Sequence, residues 1–295
     1  MGIYLINRRH FISSTIVAVS APLPLWAQTA RLAGEAAGRS NRYDAVGILH
    51  NEAMDRFGKS LLDAVKTQGS GAGTLDFAKG LFLDAAKDML KSAHIYFPEV
   101  VGRRLSHKDI DHALVRVTRA RGLSLRRVIG RKLDRTVVDD LEVLTVAMEK
   151  LTDQRSLEKV RQISAALAKT YSATEDDIQS QTVLIAAAIA RHSAEYWFEQ
   201  HSSRDGWVAQ LARAGNPDSP GRPHLPPPSG GGTDWRWLDR LLRWLRGRDW
   251  GHVGEADVAS GIAGSIHGFA GGPITILIDG MVESFVGSGV ALIWG

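Results

Sequence analysis

Glycine in the C-terminal segment constrains the fold more than any other feature of this sequence. Ten glycines lie between Gly254 and Gly295. Small residues recur there every four positions, which places them in one flat stripe on a helix: Ser260, Gly264, Gly268 and Gly272, then Gly280, Ser284 and Ser288. Two helix backbones can approach closely along such a stripe. Because each glycine costs a helix roughly 1 kcal/mol in water, the pattern predicts helices that lipid or tight packing stabilises.

The same segment predicts a helical hairpin. The run Gly271-Gly272-Pro273 separates helices near 256–270 and 274–293. The first is short for a membrane span, which needs about 20 residues, and the second is long enough. It carries Asp279 and Glu283, however, and carboxylates are costly in hydrocarbon unless they are protonated or face water in an assembly. Two interpretations stay open: a hairpin that inserts conditionally or oligomerises, and a hairpin packed on its own protein.

An amphipathic, cationic helix is predicted immediately before the hairpin, from Asp234 to Trp250. Its apolar arc contains Trp235, Trp237, Leu241 and Trp244, and its opposite arc contains Arg236, Arg240 and Arg243. Indole rings favour the headgroup level of a bilayer, and arginine is attracted to anionic lipid. We expect this face to contact a membrane. The alternative is that it docks onto the rest of the chain.

The middle of the chain predicts a helical domain over residues 41–213. Apolar residues recur at helical spacing, and alternating β-branched residues are scarce. The run from Val183 to Ala190 is nearly all apolar, which predicts the buried central helix of the domain. Residues 214–233 form a linker with six of the ten prolines. The predicted fold class is therefore mainly α: a helical domain, a Pro/Gly-rich linker, and a module over 234–295 that holds the amphipathic helix and the glycine-rich hairpin.

The N-terminus has the layout of an export signal. Arg8 and Arg9 precede Phe11 and a mildly apolar stretch from Ile12 to Ala21, which is too short to span a membrane. These residues resemble a twin-arginine signal peptide, which we place at residues 1–27. The resemblance implies folding before export and a periplasmic or secreted location, and it is the C-terminal module that favours association with a membrane. The alternative is a cytosolic N-terminus that happens to contain paired arginines.

One short box in the helical domain has the character of a motif, Asp44-x-x-Gly47-x-x-His50-Asn51. Together with the Tyr196–Trp197 pair and the glycine-rich tail, it resembles exported bacterial proteins for which no activity is assigned. The resemblance implies no activity for this chain. Arg42 stands where that pattern has proline.

His50, with Asp44 and Glu52, could serve as an acid–base or metal site. A metal-binding helix needs a second ligand four residues away on the same face. Neither position 46 nor position 54 holds His or Glu, so no metal is expected. The competing interpretation is structural: Asp44 caps its helix, and His50 and Asn51 bond to a neighbouring helix.

Composition removes several functional classes. The chain has no cysteine, which excludes disulfides, thiolate metal sites and cysteine nucleophiles. A net charge of +4 is too small to indicate a class of binding partner. Residues 103–135 are basic, but no aromatic residue lies between Phe97 and Tyr171 to stack on bases. Nucleic acid is therefore not expected as a partner, and no cofactor is expected.

These features favour an exported, non-enzymatic helical protein whose C-terminal module engages membranes. The tail resembles the glycine-zipper segments of bacteriocins and other membrane-inserting peptides, which implies pore formation or insertion. Its partners would be membrane lipid or partner helices, including other copies of the chain. Two alternatives remain: a soluble periplasmic structural or interaction protein, and an exported hydrolase that uses the His50 box.

Overall fold

The computed structural model describes residues 43–67, 75–97, 107–120, 125–129, 132–174, 176–214 and 250–294. The residues in these ranges form ten α-helices and no strand, which confirms the predicted mainly α fold. The helices are α1 (Asp44–Thr67), α2 (Leu75–Tyr96), α3 (His107–Ala120), α4 (Leu125–Ile129), α5 (Arg135–Glu149), α6 (Gln154–Tyr171), α7 (Ile178–Ser202), α8 (Trp207–Ala214), α9 (Trp250–His267) and α10 (Pro273–Trp294).

Three sequence predictions fall outside the described residues. They are the signal peptide at 1–27, most of the linker, and the amphipathic segment up to residue 249. The described residues all belong to one compact unit of the chain, which spans 39–295.

Helix α7 lies at the centre of this unit, where the sequence predicted the buried helix of the domain. Every side chain from Val183 to Ala190 is buried. The N-terminus of α7 is capped by Asp177, whose carboxylate accepts a hydrogen bond from the backbone N–H of Ser180. Helices α1, α6 and α9 pack along α7, with α5, α8 and α10 at its flanks.

The C-terminal hairpin, which we define as α9, its turn and α10, is also central. Its two helices have the most extensive contact in the unit, and α9 packs directly on α7. The turn is a 3₁₀ segment, Gly268–Gly271, followed by Gly272 at a φ of 80°, a conformation that favours glycine. Pro273 then begins α10, which suits its fixed φ. The first helix begins at Trp250 rather than near 256, because Trp250 is anchored by stacking on Trp197 at 5.7 Å.

The small residues of the hairpin bring its backbones together. A Cβ at Gly264 would lie 2.7 Å from the carbonyl carbon of Asp279, and one at Gly268 would lie 2.5 Å from the backbone nitrogen of Ile276. A Cβ at Gly280 would overlap the hydroxyl of Ser265. Gly272 differs from the other positions of the predicted stripe, because it lies in the turn and has open space around it.

The hairpin is part of the core of the helical domain. The sequence instead predicted a separate C-terminal module after the linker. Phe285 of α10 stacks on Phe82 of α2 with ring centroids 3.9 Å apart. Nearly all side chains of α10 from Ile276 to Leu292 are buried, apart from Asp279. The apolar surfaces of α7 and the hairpin cover each other, and this removal of apolar area from water favours one joint core. Within residues 250–294, the small-residue faces of α9 and α10 pack on each other, and the hairpin packs on α7.

Replacing Gly264 with alanine should destabilise the protein by about 1–3 kcal/mol, because the new methyl group meets backbone that cannot move aside. Gly80 provides the matched control, since it lies inside α2 and a Cβ there would meet nothing within 4 Å. Gly80→Ala should therefore stabilise the protein by about 1 kcal/mol. Urea unfolding of both variants measures the difference, and equal stability of the two would contradict the close packing of the hairpin.

Candidate functional site

A carboxylate that is completely buried in the core is the most unusual chemical group of this fold. Asp257 lies in the middle of α9 with no exposed surface. Its Oδ2 accepts hydrogen bonds from the indole Nε1 of Trp197 at 2.8 Å and from the hydroxyl of Ser193. Its Oδ1 accepts one from the hydroxyl of Ser288, and Nε2 of His50 lies 3.7 Å from Oδ2. We call these five residues the Asp257 cluster.

The cluster joins four helices at one point. Asp257 comes from α9, Ser193 and Trp197 from one face of α7, Ser288 from α10 and His50 from α1. Burial raises the pKa of Asp257 above its usual value. His50 and the three hydrogen-bond donors oppose this rise without cancelling it. A buried carboxylate is tolerated when its lone pairs are satisfied, and here each oxygen has at least one donor.

His50 links the cluster to the rest of the predicted box. Its Nδ1 lies 3.0 Å from the carbonyl oxygen of the Asn51 side chain, and its Nε2 lies 2.9 Å from the Oγ of Ser288. The Ser288 hydroxyl is directed to Asp257, so both ring nitrogens of His50 face acceptor oxygens. Asn51 donates through Nδ2 to the backbone carbonyl of His192 at 2.8 Å. All these polar groups are buried.

Gly47 explains why the box packs so closely on α7. A Cβ at Gly47 would lie 2.6 Å from the carbonyl oxygen of Ala188 and 2.6 Å from Cδ2 of His192. The absence of a side chain brings the backbone of α1 against α7, where His50 and Asn51 reach their partners. The spacing Gly-x-x-His-Asn therefore describes one face of a helix–helix interface.

Asp44 lies one turn before Gly47 and faces the same helix. Its carboxylate pairs with Nη2 of Arg191 at 3.1 Å. Arg191 also donates from Nη2 to Nε2 of His192 at 2.9 Å, so this ring nitrogen accepts and carries no proton. Burial lowers the pKa of His192 to about 3, and the positive charge of Arg191 adds to this effect. Oδ1 of Asp44 lies 3.9 Å from the same nitrogen.

The structure does not bring Asp44, His50 and Glu52 together as one catalytic set. Asp44 is engaged by Arg191, and His50 is directed to the Asp257 cluster. Glu52 is half-buried, and its pKa is raised by burial while the charge of Arg56 opposes the rise. The three side chains therefore have different partners in this structure, and the hydrolase site built on them stays a prediction. Contacts to neighbouring helices are what the competing structural interpretation expected of His50 and Asn51.

The cluster contains Ser, His and Asp, but their order differs from that of a hydrolytic triad. A triad places histidine between the acid and the serine, whereas Ser288 lies between His50 and Asp257. Both serine hydroxyls donate to the carboxylate and are completely buried. The arrangement therefore holds helices together and has no group placed to attack a substrate. Among the described ranges, no three His, Asp or Glu side chains are placed to hold a metal ion.

Glu283 is the second buried acid of the hairpin. Its Oε1 accepts from Nε of Arg116 on α3 at 2.5 Å and lies 3.2 Å from Nδ1 of His267. Its Oε2 is buried and has no hydrogen-bond partner within the described residues. Asp279, which the sequence placed on the same face as Glu283, is only half-buried. The hairpin is thus connected to the surrounding helices by two carboxylates at opposite levels of its length.

The residues predicted to contact a membrane lie outside the described part of the chain: Trp235, Arg236, Trp237, Arg240, Leu241, Arg243 and Trp244. Trp250, the last residue of that amphipathic segment, is described and buried. The periodicity of the sequence did not identify Asp257 as a functional residue. An acid within an otherwise apolar, glycine-rich run was the signal that could have identified it.

Replacing His50 with alanine should cost about 3 kcal/mol of stability, because the buried carboxylate of Asp257 then loses the neighbouring imidazole, and Ser288 and Asn51 lose a hydrogen-bond partner. His112→Ala is the control, since His112 is exposed on α3, and should change stability by less than about 0.5 kcal/mol. Asp257→Asn combined with His50→Ala should recover part of the loss. Chemical denaturation of the three variants and the double variant provides the measurement, and strictly additive losses would contradict the coupling.

His192 should make the protein less stable in acid. Its folded pKa of about 3 lies below the ordinary histidine pKa of 6.5, so the unfolded chain binds a proton first as the pH falls. Stability from this group is complete above pH 6.5 and is lost as the pH falls from 6.5 towards 3. The slope is about 1.4 kcal/mol per pH unit, or about 2 kcal/mol between pH 6.5 and 5.

His192→Gln should remove this part of the pH dependence, whatever the substitution costs at neutral pH. Free energies of unfolding at several pH values measure the slope for both proteins. An unchanged slope in the variant would show that another group titrates in this range.

No protein-family model, curated protein or solved structure matches this chain. The function proposed next is therefore argued from the residues and contacts described above. The arrangement that it must explain is an apolar hairpin held in a helical core by two buried acids.

Proposed function

We propose that this chain is an exported, non-enzymatic helical protein that keeps an apolar hairpin in its core and engages membranes by releasing it. The observation that supports this most is the character of α10. By length and composition, the stretch Pro273–Leu292 could cross a membrane, and 83% of its most apolar window is buried among the other helices. A core helix of a soluble protein meets the same criteria, so the proposal depends on how the hairpin is held.

The dimensions of the hairpin suit a bilayer. Helix α10 has 22 residues, which corresponds to about 33 Å at the usual rise per residue. The hydrocarbon core of a bilayer is about 30 Å thick. Helix α9 has 18 residues, or about 27 Å, so the two helices could enter together with little mismatch.

The contact between α9 and α10 is self-contained. Small residues supplied by the hairpin itself hold the two backbones together, among them Gly261, Gly264 and Gly280. Such interfaces persist in lipid, because they depend on close packing rather than on the exclusion of water. The hairpin can therefore leave the bundle as a pair without losing its largest contact.

The remaining contacts of the hairpin with the bundle are of two kinds. Apolar side chains such as Phe285 pack on the other helices, and lipid tails can replace these contacts. Asp257 and Glu283 make the polar contacts, to the Asp257 cluster and to Arg116. Two carboxylates are costly in hydrocarbon, and an oligomer of hairpins around a wet centre would lower that cost. A homo-oligomer in the membrane is therefore part of the proposal.

Two sequence features favour the same function. The N-terminal residues Arg8 and Arg9 and the apolar stretch after them favour export through a twin-arginine signal. The tryptophans and arginines of the 234–250 segment would bind the bilayer surface next to the hairpin.

The second candidate is a soluble periplasmic structural or interaction protein in which the hairpin stays permanently in the core. The observation that favours it is the completeness of the Asp257 cluster, where both carboxylate oxygens have donors from other helices. Breaking such a buried arrangement costs several kcal/mol. The two candidates differ in one measurable property, which is whether the hairpin must leave α7 for the protein to act.

A disulfide that fixes the hairpin to α7 tests the proposal. The chain has no cysteine of its own. A Cβ at Gly280 would lie 3.3 Å from Cγ2 of Ile185, so cysteines at these two positions come within disulfide range. Flotation with anionic liposomes is scored after an alkaline carbonate wash, which removes protein bound only at the surface through the 234–250 segment. Ile185→Cys/Gly280→Cys should be washed off the vesicles when oxidised and should float with them after reduction.

The matched control joins the two hairpin helices to each other. A Cβ at Gly261 would lie 3.3 Å from the Cβ of Ser284. Gly261→Cys/Ser284→Cys should float in both redox states, because the hairpin can still leave as a pair. Flotation of the oxidised α7-linked protein would contradict release of the hairpin. Absence of flotation for the unmodified chain would favour the soluble candidate. Truncation before the hairpin is not informative, because it removes part of the core.

A further inference from the structure

The two buried acids of the hairpin have basic partners on helices that stay in the bundle. Oδ2 of Asp257, on α9, lies 3.7 Å from Nε2 of His50 on α1. Oε1 of Glu283, on α10, accepts a hydrogen bond from Nε of Arg116 on α3 at 2.5 Å. Release of the hairpin as a pair of helices therefore separates both carboxylates from these partners.

The other groups that bind Asp257 are neutral. Three donors from α7 and α10 complete its hydrogen bonds. Tyr196 of α7 is also ionisable and interacts electrostatically with Asp257, but its phenol keeps its proton across the physiological pH range. Asp257 and His50 are therefore the groups of this cluster that acid can change.

Glu283 faces a second basic group besides Arg116. Nδ1 of His267, at the end of α9, lies 3.2 Å from its Oε1. Asp279 lies one turn earlier on α10 and is half-buried. Oε2 of Glu283 is buried and has no hydrogen-bond partner within the described ranges, so this oxygen can take a proton without giving up a contact.

Movement of the hairpin into lipid is coupled to proton uptake. An ionised carboxylate is far more costly in hydrocarbon than a neutral carboxylic acid. Each carboxylate that enters the bilayer therefore takes up one proton, so the inserted state binds more protons than the folded bundle. Insertion is then favoured as the pH falls, by up to about tenfold per pH unit for each carboxylate.

The two histidines of the hairpin do not cancel this effect. His252 and His267 lie at opposite ends of α9, which has 18 residues and a length of about 27 Å. In a hairpin that spans the bilayer, both side chains therefore reach the headgroups and water, where they can keep a proton.

The same protons weaken the contacts that hold the hairpin in the bundle. A protonated Glu283 no longer attracts the positive charge of Arg116. A protonated Asp257 is a weaker acceptor for its three donors, because hydrogen bonds to an ionised group are the stronger ones. Acid therefore acts in the same direction on the folded bundle and on the inserted hairpin.

We propose that acid is the signal that releases the hairpin: protonation of Asp257 and Glu283 detaches it from α1 and α3 and allows it to enter a bilayer. At neutral pH the two ionised carboxylates keep it in the core. This inference rests on the proposed function, because it names the condition under which membrane engagement occurs.

Photolabelling from within the bilayer tests the inference on the full chain. The vesicles contain equal parts of phosphatidylglycerol and phosphatidylcholine, with a small share of a phosphatidylcholine that carries a diazirine at the end of one acyl chain. The mixture is illuminated at pH values from about 7.5 to about 4.5, and mass spectrometry measures the label on α10, with α6 as the internal control. Label on α10 should rise by about tenfold or more per pH unit, and α6 should stay unlabelled.

Glu283→Gln tests the carboxylate directly. It should reduce the pH dependence by up to about tenfold per pH unit and raise the label on α10 at neutral pH, because the amide needs no proton. Glu195→Gln is the matched control, since Glu195 of α7 pairs with Arg161 of α6 at 2.8 Å and has no contact with the hairpin's acids. This control should leave the pH dependence unchanged.

His192 provides a competing explanation, because its buried neutral ring also destabilises the folded chain in acid. Acid would then expose the hairpin by unfolding the bundle. His192→Gln removes that contribution, and the rise of the label on α10 should persist in this variant with the slope of the unmodified chain. A slope that disappears in His192→Gln would overturn the role of the two acids.

The remaining outcomes separate this inference from the proposed function. Equal label on α10 at every pH would leave membrane engagement intact and would remove acid as its signal. Equal slopes for Glu283→Gln and Glu195→Gln would remove Glu283 as a group that takes up the proton. Absence of label on α10 at every pH would instead contradict the proposed function itself, and the inference with it.

Discussion

The close approach of α9 and α10 is the contact on which the rest of the structure depends. Glycine and serine along their interface allow the backbone of Gly264 to lie against the carbonyl of Asp279. A hairpin with such closely packed helices fits beside α7 in the centre of the bundle, where Asp257 accepts hydrogen bonds from donors on α7 and α10. Bulkier residues would separate the two helices, and the Ser288 hydroxyl would no longer reach Asp257.

The buried acids give the hairpin a polar connection to an otherwise apolar surrounding. Asp257 is bound by α1, α7 and α10, while Glu283 is bound by Arg116 of α3. Apolar contacts are non-directional, so a hairpin held by them alone could shift along α7. The two carboxylates define its position, because each has specific donors. The same carboxylates set the cost of moving the hairpin into lipid, which links the fold to the proposed function.

The small residues of the hairpin have two different consequences. On the face between α9 and α10 they remove space and bring backbones together, whereas on the face towards α3, α4 and α5 they leave a cavity. The two faces differ because they contact different residues. The glycines of one hairpin helix face small residues of the other, whereas Ala259 and Ala263 face a cavity that is lined by both aliphatic and charged side chains.

Local patterns in the sequence determined the helices, the central run from Val183 to Ala190, the turn at Gly271-Gly272-Pro273 and the stripe of small residues, because each depends on periodicity or on the backbone preferences of glycine and proline. The shared face of Gly47, His50 and Asn51 was also predictable. Only the tertiary structure decided what these faces contact. It paired His50 with Asp257, more than 200 positions away, separated it from Asp44 and Glu52, and placed the hairpin within the core. Spacing along a helix specifies a face, but the partner of that face depends on how distant apolar surfaces exclude water together.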